Sequence, residues 1–162
     1  MIFLIFCMKI AKYSESSQKL IKLCQICRKN LEMNNLKIPI SLGELIDKIT
    51  ILKIKYEKIN SLKSKRNVCF ELEKLKQVLN EKLEYNLTLK KLEIKLSKIN
   101  ETLWEIENKI REKEKEKKFD KKFIFLARMV YLKNDERAKI KRKINTNFGS
   151  EITEEKFYSS YN

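Results

Sequence analysis

Apolar side chains recur at helical spacing along most of this chain, and the spacing changes character from one stretch to the next. Leu42, Leu45, Ile46, Ile49, Leu52 and Ile59 share one helix face, with Ile51 and Ile54 widening it. A helix with so broad an apolar surface is expected to be covered on more than one side. From Val68 the stripe narrows to Leu72, Leu75, Leu79 and Leu83. Leu92, Leu96, Ile99, Leu103, Ile106 and Ile110 then alternate steps of 4 and 3, the seven-residue seam of a coiled coil. The phase slips in "EYNLTLK" at 84–90, where Asn86 replaces an apolar residue. Two antiparallel helices joined near Asn86 are therefore expected, with one unbroken helix that dimerises as the alternative. A last helix runs through Phe123, Leu126, Ala127, Val130, Ile140 and Ile144.

Helix boundaries are written in the polar residues between these stripes. Pro39 keeps Ile38 extended, Ser41 is placed to cap the first helix, and Glu44 completes a capping box. "NSLKSKRN" at 60–67 is polar and predicts the next connection. "REKEKEKKFD" at 111–120 alternates in sign and suits an exposed helix end. Asp120 then caps the last helix, and Gly149 ends it in the left-handed conformation.

Only two glycines and one proline are present, too few for a chain rich in hairpin turns, so composition agrees with an all-α fold. The expected architecture is a long antiparallel helical hairpin of coiled-coil character, with the first and last helices packed against it. Residues 38–150 form this helical domain, 151–162 a C-terminal tail, and 1–37 an N-terminal extension outside the domain. Met33 opens "MNNLKIPISLGELIDK" and is the expected start of the natural protein; mass spectrometry of the native N-terminus checks it.

A net charge of +15 raises nucleic-acid binding as one function. The charge is dispersed, however: residues 101–122 hold 8 basic and 7 acidic side chains, and only 6 of 37 basic residues are Arg. Lysine is the weaker reader of base edges and the weaker bidentate phosphate ligand. The absence of His excludes His-based triads and metal sites. Cys24 and Cys27 form a lone CxxC, half of what a structural zinc site needs, so neither metal nor cofactor is expected. No apolar run reaches the length of a membrane span, and the cytoplasm is the expected compartment.

Candidate chemistry lies in polar residues on otherwise apolar ridges. Trp104 stands one residue off the Leu103–Ile110 seam and needs a partner besides the hairpin mate. Glu107 and Arg111 continue its ridge in the order that favours an ion pair. Asn134 and Arg137 continue the ridge of Phe123, Ala127 and Val130, beside a second ridge of Arg128, Tyr131 and Asp135. A buried polar group without a partner costs about 1–3 kcal/mol, so these residues are networked, exposed or bind something. In one reading Asp47, Glu107 or Asp135 pairs with Arg111, Arg128 or Arg137 and sets helix register. In the other the three Arg with Tyr131 and Trp104 form an anion pocket or docking patch, without a Gly-rich phosphate loop. A catalytic version would use Glu107 with Asp135 or Asp47, but no nucleophile stands out.

"IPISLGELIDKITILKIK", "LWEIENKIREKE" and "FIFLARMVYLKNDERAKIKRKIN" followed by "FGSEITEEKFY" together resemble a small bacterial family of unknown function. The resemblance runs from Ile38 to Tyr158. It implies a compact helical protein encoded near glycosyltransferase and polysaccharide genes, and therefore a connection with cell-surface glycans. The positions it carries over are Glu44, Asp47 and Lys48; Trp104, Glu107 and Arg111; and Arg128, Tyr131, Asn134, Asp135 and Arg137. Phe125 and Met129 depart from the family's pattern, which expects a polar and a small residue there. The expected function is a non-enzymatic interaction or accessory protein, with a protein partner or self-association through helix faces. The alternatives are an anion or phosphosugar ligand held by Arg128, Tyr131, Asp135 and Arg137, and nucleic-acid binding.

Overall fold

The computed structural model describes residues 37–84 and 86–156. Among them lie four helices and no strand: α1 (Leu42–Lys58), α2 (Leu62–Lys82), α3 (Leu87–Lys115) and α4 (Lys121–Asn147). All belong to one compact unit, Ile40–Asn162. The expectations placed on residues 1–36, including Met33 and the Cys24–Cys27 pair, fall outside the described residues, as do residues 157–162. No helix among the described residues is long and apolar enough to cross a membrane.

Each helix begins on a side chain that accepts a hydrogen bond from an otherwise unpaired amide. Ser41, Ser61, Asn86 and Asp120 accept from the amides of Glu44, Ser64, Leu89 and Phe123. The break at Asn86 is thus a helix start. Two boundary expectations are corrected. The connection after α1 is only Ile59–Ser61, because Ser61 caps α2 and most of the polar 60–67 stretch is helical. The capping box is also only half made: Ser41 Oγ accepts from Glu44 N at 3.2 Å, while the Glu44 carboxylate goes to Lys141 on α4.

The core gathers Leu45, Ile46, Ile49 and Leu52 of α1, Leu72 and Leu79 of α2, Leu89, Leu92 and Leu96 of α3, and Ile144 of α4. Each such side chain contributes roughly 1.5–3 kcal/mol through burial. The broad apolar face of α1 finds its explanation here, since α1 packs against all three other helices. The most extensive pairing joins α3 to α4, one helix further along than the join at Asn86. Asn100 and Arg137 both reach Asp47 and lie similarly far from the α3–α4 connection, as an antiparallel register requires.

Leu103, Ile106 and Leu126 are buried where α3 and α4 pair, yet they lie outside the main core cluster. Residues 103–132 therefore form a two-helix arm carried beyond that core. Of the neighbours Leu126 and Ala127, both expected on the buried stripe, Leu126 is buried and Ala127 is exposed. At the arm's turn Lys117 adopts φ 55°, and Lys118 N donates to Lys113 O at 3.0 Å. Lys113 Nζ also bonds Asp120 at 2.5 Å, and Phe119 meets Phe123 edge-on at 5.2 Å. The bond from Lys113, and then the amide of Phe123, hold the Asp120 carboxyl below its ordinary 3.8.

The end of α4 repeats the turn geometry with the expected residue. Gly149 takes φ 62°, and Ser150 N donates to Asn145 O at 2.9 Å. Ser150 Oγ in turn accepts from Leu42 N at 3.3 Å, so the segment after α4 returns to the start of α1.

Candidate functional site

Asp47 is the most buried charge among the predicted residues, with 1% of its surface exposed. It faces inward because it lies on the same α1 surface as Ile46 and Thr50, a surface covered by α3 and α4. Asn100 Nδ2 of α3 donates to Asp47 Oδ1 at 2.8 Å and to Thr50 Oγ1 at 2.8 Å. Thr50 Oγ1 itself donates to the Asp47 carbonyl at 2.8 Å. Arg137 of α4 completes the set: Nε donates to Oδ1 at 2.9 Å and Nη2 to Oδ2, a two-pronged clamp. Hydrogen bonding to Asp47 raises the Arg137 guanidinium above its ordinary value, against the effect of its own burial. Arg137 Nη1 also reaches Asn134 Oδ1 at 3.3 Å, and Asn134 Nδ2 bonds Val130 O at 3.0 Å.

A second buried cluster lies at the N-terminal end of α1. Lys141 Nζ donates to Glu44 Oε2 at 2.5 Å and pairs with Glu154 of the C-terminal segment. Burial pulls the ammonium's pKa down, but the two carboxylates outweigh it and hold it above the ordinary 10.5. Gly43 N donates to Asn145 Oδ1 at 2.6 Å. A Cβ on Gly43 would stand 2.6 Å from the Lys141 carbonyl oxygen, so any larger residue forces α1 and α4 apart.

Glu44, Asp47, Asn134 and Arg137 are thus brought to the α1–α4 contact. The remaining predicted residues are not. Lys48 faces outward and pairs with Glu71 of α2 at 2.7 Å. Glu107 and Arg111 form an exposed pair within α3 at 3.4 Å. Arg128 Nε donates to Tyr131 Oη at 3.4 Å on the exposed face of α4. Trp104 and Asp135 are half-buried on α3 and α4. Of the three Arg, only Arg137 enters the buried network.

Sequence reasoning missed Asn100, Thr50, Lys141 and Asn145. Their signals were present. Asn100 lies four residues after Leu96 and three before Leu103 and so borders the apolar seam, and Lys141 and Asn145 extend the Arg137 ridge by successive steps of four.

No buried side-chain nitrogen or oxygen among the described residues lacks a hydrogen bond, so the network is closed. No group of three or more candidate ligands is placed to hold a metal ion among them. A shallow pocket of about 280 Å³ between α1 and α2 is lined by Lys53, Tyr56, Cys69 and Glu73, among others. Desolvation, with Glu73 adding to it, pushes the Cys69 thiol above its ordinary 9.0, which favours the unreactive neutral form.

The clamp and the Lys141 cluster join the "PISLGELIDK" segment to the "NDERAKIKRKIN" segment in space, and a family model covers both. The chain belongs to a family of unknown function, DUF6165. The DUF6165 model matches residues 36–161, a span that takes in all four helices and the C-terminal segment. No curated protein and no solved structure matches the chain.

Proposed function

We propose that this chain is a non-enzymatic interaction protein: a helical platform that holds out the α3–α4 arm, acting as an accessory to cell-surface glycan synthesis. The observation that carries the reading is the exposed apolar row on the arm. Ile124 and Phe125 are 56% and 60% exposed, and Tyr131 continues the row, all beyond the main core cluster. Contiguous exposed apolar side chains are the ordinary mark of an interaction surface. Arg137, the cation best placed for chemistry, is occupied by Asp47. The glycan connection rests on the family resemblance.

The test is complementation of a strain lacking the gene, with surface polysaccharide as the readout. Ile124→Ser/Phe125→Ser is expected to lose function while keeping the thermal midpoint, because both side chains are exposed. Glu107→Gln and Asp135→Asn are expected to complement. Full complementation by the apolar variant would defeat the interaction reading. An anion-binding protein is the second reading, and the Arg128–Tyr131 contact is the feature that favours it. Arg128→Ala abolishing a thermal shift by sugar phosphates would select it.

A further inference from the structure

The arm ends in an unusual pairing of exposed apolar and cationic side chains. Phe119, Ile124 and Phe125 are all more than half exposed. Residues 117–128 carry five basic side chains and one acidic, Asp120, which caps α4 and bonds Lys113; Lys117 and Lys118 pair with Glu114 and Glu116, so the cations beside the apolar side chains are Lys121, Lys122 and Arg128. Lys121, Ile124, Phe125 and Arg128 lie three or four residues apart, so they share one face of α4. On this face the cations surround the apolar side chains.

We infer that this tip docks on an anionic membrane surface, with Ile124 and Phe125 entering the headgroup boundary and Lys121, Lys122 and Arg128 meeting lipid phosphates. The inference rests on the interaction reading above and names the partner. Charge selects the occupant. A second copy would bring the Lys121, Lys122 and Arg128 cations of one tip against those of the other, and like charges repel at that range. An acidic protein segment needs a groove or a matched set of hydrogen-bonding groups to be recognised. A bilayer needs only apolar side chains reaching a few ångströms into it and cations at phosphate level, with lysine stems long enough to span the two. The position of the apolar groups at the end of a hairpin, clear of the main core, lets them reach a flat surface without unfolding anything.

The test is co-sedimentation of the full chain with phosphatidylglycerol–phosphatidylcholine vesicles and with phosphatidylcholine vesicles, at low and at high salt. Each basic residue near an anionic surface changes affinity about fivefold. Wild type is expected to bind the anionic vesicles and to be released by salt. Lys121→Gln/Lys122→Gln is expected to lose about tenfold or more, and Ile124→Ser/Phe125→Ser a comparable factor. Both variants alter exposed side chains, and unchanged far-UV circular dichroism confirms that they fold. Equal binding to both vesicle types, or anionic-vesicle binding unchanged in both variants, would overturn the inference. So would absence of vesicle binding by wild type. In that case, loss of complementation by Ile124→Ser/Phe125→Ser would leave the interaction reading standing with a protein partner.

Discussion

Arg137 and Asp47 form a pair in which each satisfies what the other's burial demands. Neither forms a productive surface by itself: Asp47 is closed off by α3 and α4, and both of its oxygens are used. Replacing one member leaves the other charged and unpaired, which costs about 3–5 kcal/mol, whereas replacing both by apolar residues costs much less. Arg137→Met is accordingly expected to lower stability by that amount in urea denaturation. Asp47→Leu/Arg137→Met should recover a large part of it, and a double mutant no more stable than Arg137→Met would show the pair is not coupled. Gly43 makes a sharper case, since the group it would strike is backbone and cannot swing aside. Gly43→Ala is expected to cost about 1–3 kcal/mol by the same measurement, although alanine is the better helix former.

Among the elements, the two turns that end α3 and α4 share one hydrogen-bond pattern but not one residue. Gly149 occupies the left-handed position after α4, while Lys117 occupies it after α3. A non-glycine residue in that conformation is strained by about 1–2 kcal/mol, and glycine gives back part of the gain through its freer unfolded chain. Lys117→Gly is therefore expected to stabilise by about 0.5–1 kcal/mol, read as a raised urea midpoint; no change would mean the strain is relieved locally. The arm as a whole has little burial of its own, namely Leu103, Ile106 and Leu126. Its amides are expected to exchange hydrogen faster than those of α1 around Ile46 and of α3 around Leu96, which lie in the main core. Mass-resolved exchange checks this, and uniform protection along α3 would contradict it.

At the scale of the whole molecule, Lys141 ties α1, α4 and the C-terminal segment together through Glu44 and Glu154. Its folded pKa is raised, so its contribution is complete below the ordinary 10.5 and is lost as pH rises through the folded value. The difference in thermal midpoint between wild type and Lys141→Met should stay constant from neutral to mildly alkaline pH and shrink above 10.5. A difference that grew in that range would reverse the assignment.

The helices, their caps and most of the core were legible in the order of residues, because helical spacing and capping are local properties. Ser41, Asp120 and Gly149 act as their chemistry requires, and the Leu92–Ile110 seam faces inward as its period demands. The turn at Lys117 was not legible, since no glycine marks it. Membership in a family of unknown function was also legible, and a family model over residues 36–161 bears it out. Pairing in space was decided only by tertiary structure. Nothing local distinguishes Arg137, clamped on Asp47, from Arg128, exposed beside Tyr131, although both lie on one helix nine residues apart. Which ridge of α4 meets α1 depends on the crossing of two helices, and that crossing is set by a carbonyl packed against Gly43. The same packing leaves Ile124 and Phe125 uncovered on the arm, because α1 reaches α4 at Arg137, Lys141 and Asn145 and no contact of its reaches them.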